Sequence, residues 1–432
     1  MSMPIHGTTG TPPAAVPADS SVLPPLPRQC VILVGGLGTR LGDRTRLTPK
    51  PLLEVAGKPF LDHLIGNLAR FGFERVLLLG GYRGEVLRDY CAAAATDDGR
   101  SSRFGVALSC LIEGEPAGTG GALVQAGDAL DDRFLLLNGD SFFDINYLDL
   151  TAPLGDGTLA RVALRRVEDA ARYGAVRLEG ERIRAFAERP EQGGAGLING
   201  GIYWMDRRIL DHIPAGPCSL ERDVLPGLAE RGELAGRRYD GAFIDIGIPQ
   251  DLARADGLAA GWHRRPAAFL DRDGVLNLDH GYVHHRGHFE WVDGAMDAVK
   301  LLNDRGYYVF LITNQAGVAH GHYEEEAIHT LHGWMREELR RNGAHLDDVR
   351  YCPYHPEGAV ERYRRASDWR KPEAGMLRDL MAHWPVERTG SFVIGDRDTD
   401  MAAARATGIP GHLFTGGNLL ERVRGILGEN RG

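Results

Sequence analysis

No stretch of this 432-residue chain is apolar for long enough to cross a bilayer as a helix, which takes about 20 consecutive apolar residues. Cysteine is scarce as well. Cys30, Cys91, Cys110, Cys218 and Cys352 are scattered and odd in number, so no disulfide framework is expected and reduced thiols in a cytoplasm are. Positive charge is also in short supply: 50 Lys and Arg stand against 59 Asp and Glu, for a formal net charge of −9. A nucleic-acid partner would leave a basic patch, so none is expected, and no membrane partner is expected either. The opening MSMPIHGTTGTPPAAVPADSSVLPPLPRQ lacks a basic leader and an apolar h-region, which argues against a signal peptide. Its Pro, Ala and Ser content predicts a disordered tail over 1–28. What remains is ordinary globular composition, too long for one typical core and expected to form two domains.

The most informative stretch runs from Val31 to Lys58, VILVGGLGTRLGDRTRLTPKPLLEVAGK. The apolar run Val31 to Val34 reads as a buried strand and breaks into Gly35, Gly36 and Gly38, then Thr39 and Arg40. Glycines directly after a strand let backbone N–H groups converge on an oxyanion. Arg40 and Lys50, the latter set rigidly between Pro49 and Pro51, add two positive charges suited to a polyphosphate. GGLGTRL followed by PKPLLEVAGKPFL resembles the signature of sugar-1-phosphate nucleotidyltransferases, and the resemblance runs to about residue 258.

Beyond this loop, helical and strand patterns alternate, which implies a mostly parallel sheet with ligands at the carboxyl ends of its strands. Glu113 follows one such strand, ahead of EPAGTGGAL with its Gly118 and Thr119. The resemblance places a base-reading residue near Glu113. A carboxylate offers two acceptors to the N–H edge of guanine, which points to GTP, although an exposed loop glutamate is the plainer reading. Phe134 to Leu137 predicts a strand ending at Asp140, and AFIDIGIPQDL carries Asp245. Both match the family's Mg²⁺-binding aspartates, and carboxylates at strand ends suit that ion. Between them, segments holding Gly174, Glu188, Arg189, Asn199 and Glu221 match the family's sugar-binding regions. Arg189 stands where the family usually has lysine, and Ser219 with Arg222 and Asp223 reads equally as a helix cap.

A second set of motifs begins at Ala267. AAFLDRDGV resembles the first motif of the haloacid dehalogenase superfamily of phosphatases. The resemblance implies that Asp271 attacks phosphorus and that Asp273 protonates the leaving oxygen. Thr313, Asn314 and Gln315 follow the predicted strand Val309 to Ile312, Lys371 lies in Arg370-Lys371-Pro372, and Asp396 follows the strand Phe392 to Ile394. By the same resemblance Thr313 and Lys371 handle phosphate charge, and Asp396 completes a Mg²⁺ site with Asp271 and the Asp273 carbonyl. Arg370 is the candidate for a distal phosphate, with Asn314 and Gln315 as further substrate contacts. DRDGVLNLDHGYV, YCPYHPEG and WRKPEAGM are similar to the heptose-1,7-bisphosphate 7-phosphatases and histidinol-phosphate phosphatases. Many of these bind zinc on a cysteine- and histidine-bearing loop. Here Tyr354, Ser367 and Trp369 occupy ligand positions, so no zinc is expected.

The expected fold is α/β in two domains: a Rossmann-like nucleotidyltransferase with a mixed, mostly parallel sheet at 29–258, and a doubly wound haloacid dehalogenase-like parallel sheet at 267–432. A short linker is expected at 259–266. Together the resemblances imply a bifunctional enzyme of GDP-D-glycero-D-manno-heptose synthesis, acting on GTP and sugar phosphates. The alternatives are a mannose-1-phosphate guanylyltransferase joined to a histidinol-phosphate-type phosphatase, and a nucleotide-sugar sensor without turnover. The oligomeric state, a homo-oligomer included, is left open.

Overall fold

The computed structural model describes residues 26–36, 38–96, 101–170, 175–187 and 194–429. Most of the expected tail, along with Gly174, Glu188 and Arg189, lies outside the described residues.

The first sheet has nine strands, in the order Ala107–Ile112, Arg75–Gly80, Gln29–Leu33, Arg133–Asn138, Gly196–Asp206, Ala160–Val167, Leu234–Tyr239, Arg182–Ala187 and Ala175–Glu179. The first four run parallel. Their sequences, such as VLLL and FLLL, are apolar without alternation because helices cover both faces. Helix Phe60–Arg70 packs on one face, and the segment Leu220–Arg231 packs on the other. Beyond Arg133–Asn138 the expectation of a mostly parallel sheet fails. There only Leu234–Tyr239 runs parallel to its neighbour Ala160–Val167, and the remaining pairings are antiparallel. Of these, Ala175–Glu179 and Arg182–Ala187 are joined by a short return, which requires antiparallel pairing.

A separate two-stranded ribbon joins Ser141–Phe143 to Phe243–Asp245, with Asp245 opposite Ser141. It sets the ends of two distant segments side by side.

The second sheet has five parallel strands, in the order Asp348–Cys352, Tyr308–Asn314, Arg265–Leu270, Val386–Gly395 and Gly411–Leu413. Helices Ala295–Asp304, Glu325–Arg341 and Leu419–Leu427 cover one face, and Gly375–His383 with Asp398–Thr407 the other. This is the doubly wound arrangement expected, and it puts the ligand crevice at the strands' carboxyl ends. Among the described residues no helix is long and apolar enough to cross a membrane.

The stretch 259–266 is not free chain. Helix Pro249–Trp262 runs through its first half, anchored by Trp262 stacked on Phe142 at 4.4 Å between ring centroids, and the next strand starts at Arg265. Arg265 is buried and ion-paired to Asp144 at 2.7 Å. The two halves meet in further polar contacts. Arg70 Nε lies 2.5 Å from Asp347, Asn146 donates to Asp304 and to the Gly343 carbonyl, and Lys300 pairs with Asp149.

Candidate functional sites

In the first domain the strand Gln29–Leu33 delivers the glycine turn, and Gly38 adopts φ +60, where a side chain would be strained and would collide with Thr45. A short helical segment, Thr39–Thr45, carries Arg40 outward. Gly35 and Gly81 both lie against the Glu113 carboxylate, which also accepts a hydrogen bond from Ala117 N at 3.0 Å. Glu113 is thus brought to the glycine turn, whereas Gly36 is open.

The ribbon register brings Asp140 and Asp245 together around Lys50. Lys50 Nζ donates to Asp140 Oδ2 at 2.5 Å and lies 3.7 Å from Asp245 Oδ1. Burial raises the Asp245 carboxyl, and the nearby Asp140 charge raises it further, against Lys50 and Arg40. Two carboxylates converging in a partly desolvated site favour a cation there. The Lys50 ammonium lies between them.

The acceptor side is a hydrogen-bonded chain. Thr119 Oγ1 donates to Glu221 at 2.9 Å, Tyr203 OH reaches Glu221 at 3.3 Å, and Asn199 Nδ2 donates to Tyr203 OH at 2.7 Å. Ser219 caps the helical turn that follows, as its alternative reading held, while also contacting Glu221. Gly118 is placed by packing: its Cβ would lie 2.4 Å from the Cys218 carbonyl oxygen.

In the second domain Asp271 follows the strand Arg265–Leu270 and is buried. Lys371, also buried, reaches Asp271 Oδ1 at 2.8 Å, Asp400 Oδ1 at 2.6 Å and the Ile312 carbonyl at 3.0 Å. Burial pushes the Asp271 carboxyl up to about 7, against the pull of the Lys371 ammonium. Carboxylate oxygens of Asp271, Asp396 and Asp400 lie within 4.8 Å of one another. Asp396 Oδ1 is buried with no hydrogen-bond partner. Gly274, at φ +83, comes so close to Asp396 that a Cβ would collide with it.

Three side chains take contacts that the sequence did not indicate. The Asp273 side chain is bound by Arg272 at 2.9 Å, Asn277 at 3.0 Å and Gln315 at 3.1 Å. The cause is Arg272, which is fully buried and requires a carboxylate partner. The two side chains of the expected magnesium set, Asp271 and Asp396, converge, and the third expected ligand, the Asp273 carbonyl, is backbone. Asn314 is committed to the backbone of Lys371, bonding both its N–H and its carbonyl at 3.0 Å, and so positions that lysine instead of reaching outward. Gln315 similarly spans Asp273 and the Thr313 hydroxyl, at 3.1 and 2.9 Å. Asp400 was not singled out from the sequence. Its signal was present in GDRDTD, where it sits four residues past Asp396 and one helical turn places both at the same strand end. Arg370 is half-buried and makes one long contact, 3.5 Å to the Tyr354 carbonyl. The 352–369 loop packs through Tyr354, which stacks under Arg365 and meets Tyr363.

Fold and sites together define a two-domain α/β enzyme, with a nucleotidyl-transfer centre in one half and an aspartate-based phosphatase centre in the other. The nucleotidyl transferase family model matches residues 29–259 and a HAD-hydrolase-like model matches residues 368–423. The chain belongs to the nucleotidyl transferase family, fused to a haloacid dehalogenase-like phosphatase of the heptose-bisphosphate phosphatase type. A D-glycero-beta-D-manno-heptose-1,7-bisphosphate 7-phosphatase of Rhodopseudomonas palustris is 51% identical over 166 residues, 38% of this chain and 92% of that protein. The enzyme of the same name from Escherichia coli K12 is 42% identical over 144 residues, 33% of this chain and 75% of that protein. Among solved structures, HddC from Yersinia pseudotuberculosis is 31% identical, covering 53% of this chain and 98% of that one, with a TM-score of 0.47.

Proposed function

We propose that the protein catalyses two steps toward a GDP-heptose: removal of the 7-phosphate from a heptose 1,7-bisphosphate, then transfer of GMP from GTP to the heptose 1-phosphate with release of pyrophosphate. The Asp271–Lys371–Asp400 cluster carries the reading. It sits at the carboxyl ends of the strands, in a chain of which 166 residues align at 51% identity with a phosphatase named for this substrate.

In the phosphatase, Asp271 Oδ attacks phosphorus to give an aspartyl phosphate as the ester oxygen departs. Lys371 and the Thr313 hydroxyl offset the phosphoryl charge. Asp273, held near by Gln315, supplies the proton to the leaving oxygen and takes one from the water that hydrolyses the intermediate. The Asp271 and Asp396 carboxylates and the orphaned Asp396 Oδ1 suit Mg²⁺. When bound, that ion neutralises phosphate charge and lowers the acidity problem posed by a buried nucleophile.

In the transferase, the acceptor's phosphate oxygen attacks the α-phosphorus of GTP in line and pyrophosphate leaves. Arg40, Lys50, Thr39 and the backbone of Gly35, Gly36 and Gly38 hold the triphosphate. Glu113 reads the base, and Asn199 and Glu221 bind sugar hydroxyls. Asp140 and Asp245 fit a second Mg²⁺, since both converge on one cationic position. No covalent enzyme intermediate is required, so positioning and charge neutralisation supply the catalysis.

The test is direct. Phosphate release from heptose 1,7-bisphosphate and pyrophosphate release from GTP with heptose 1-phosphate, each anomer tried, should both be seen. Asp271→Asn should lower the first by at least about a thousandfold, the scale of losing a nucleophile, and leave the second intact. Pyrophosphate release with mannose 1-phosphate but not heptose 1-phosphate would refute the acceptor.

A further inference from the structure

Away from both centres, a cavity of about 950 Å³ opens between the two domains. That is the volume of a site for a nucleotide-sized molecule, and domain interfaces are common places for such sites. Its charge is unbalanced. Every acidic side chain on its wall already has a cation: Asp62 has Arg103, Glu74 has Arg28, Glu337 has Arg341 and Asp347 has Arg70. Lys58, Arg336 and Arg340 line the same cavity with no carboxylate partner among the described residues. Arg340 shows the cost most plainly. Its Nε is buried without a hydrogen-bond partner, and burial holds the guanidinium below its ordinary value. The imidazoles of His263 and His345 on the wall are also pushed down, first by burial. Lys58 adds to the effect at His263. A locally cationic cleft is thus set in a chain whose net charge is −9.

We propose that this cleft binds a nucleoside diphosphate group. Lys58 from the transferase half and Arg336 with Arg340 from the phosphatase half contact the phosphates. Phe104 and Trp384, on the same wall, supply ring surface for the base. Three cations without an ion pair among the described residues match a diphosphate better than a single phosphate, although Arg340 also donates to the Pro27 carbonyl at 2.8 Å, and the volume exceeds what a sugar phosphate would fill. The guanine form of the ligand rests on the function proposed above; the anion site does not. A ligand held by both halves binds the docked arrangement better than a separated one, so occupancy stabilises the interface.

Calorimetric titration of the full chain with GDP tests this. Wild type is expected to bind two equivalents, one at the transferase centre and one in the cleft. The double variant Lys58→Met/Arg336→Gln should bind one, with its pyrophosphate release unchanged. One equivalent in both proteins overturns the proposal, as does inorganic pyrophosphate filling the cleft as tightly as GDP, since the base would then contribute nothing. A wild type that binds a single equivalent, lost in the double variant, would uphold the cleft while removing the transferase reading.

Discussion

At the scale of the residue, the phosphatase centre is a problem in burying charge. Two carboxylates and one ammonium are withdrawn from water at Asp271, Asp400 and Lys371. An arrangement of this kind survives only when each member is paired. Asp400 also caps the helix Asp398–Thr407, accepting from Arg397 N at 3.0 Å. Asp400→Asn retains an oxygen for that cap but removes the charge that draws Lys371 away from Asp271. The lysine then leans wholly on the nucleophile and holds it less well aligned for attack. Phosphate release should fall by about 10- to 100-fold, the usual effect of losing a group that orients a catalytic one, with pyrophosphate release unaltered. A phosphatase rate equal to wild type would reduce Asp400 to a helix cap. Asp271, Thr313 and Asp396 were legible because each follows a strand end that the apolar runs predict, and Lys371 through the resemblance carried by Arg370-Lys371-Pro372. The orientation of Asp273 was not legible. It depends on a buried Arg272, whose other neighbour, His332, comes from a helix 60 residues further on at 3.4 Å.

At the scale of the element, the transferase centre depends on a ribbon only three residues long on each strand. The short strand Phe243–Asp245 would not be predicted alone, and its register against Ser141–Phe143 is invisible to periodicity. The apolar strands of the parallel half were legible because burial on both faces makes them continuous. The antiparallel half was not, since Gly196–Asp206 is interrupted by Asn199, Gly200 and Gly201 and carries a register shift there. Gly241 enforces the ribbon's geometry: a Cβ there would sit 1.6 Å from the Asp144 carbonyl oxygen. That approach cannot be relieved by turning a side chain, because the obstacle is backbone. Gly241→Ala should therefore shift the ribbon and destabilise the first domain by about 1–3 kcal/mol, the range for overpacking. By separating Asp245 from Asp140 it should depress pyrophosphate release more than phosphate release. Equal loss of both activities in thermally matched samples would mean that the ribbon is merely structural.

At the scale of the whole molecule, the two halves form one docked unit through pairs that sequence reading had no means to find. Arg70 and Asp347 are 277 residues apart, and Asn146 bonds the second domain at Asp304 and Gly343. Arg70→Ala would leave the buried Asp347 carboxylate without its full positive charge, with His345 at 3.3 Å and the Val309 N–H at 2.7 Å beside it. Breaking one partner of a buried pair costs about 3–5 kcal/mol, and calorimetric unfolding should then resolve into two transitions.

The same interface sets an acid limit. His63 Nε2 faces the Val55 carbonyl, so its Nδ1 accepts from His263 Nε2 at 2.9 Å. Protonating His63 would set two donors against each other. Burial first, then the Lys58 charge, holds His263 down at about 4 against an ordinary 6.5; burial likewise lowers His63. Burial opposes ionisation of Asp347, yet Arg70 and His345 outweigh it and hold that carboxyl well below its ordinary value. All three groups have folded values below their unfolded ones. Their stabilisation is therefore complete above the unfolded value and is lost as pH falls toward the folded one. For the histidine pair the loss falls between about pH 6.5 and 4, while the stabilisation from Asp347 is lost only below about pH 4. The thermal midpoint should drop across the first window, and His263→Gln, which cannot take up a proton, should flatten that drop while leaving the lower one. If wild type and His263→Gln lose stability in parallel from pH 6.5 to 4, the imidazole pair is not what titrates at the interface.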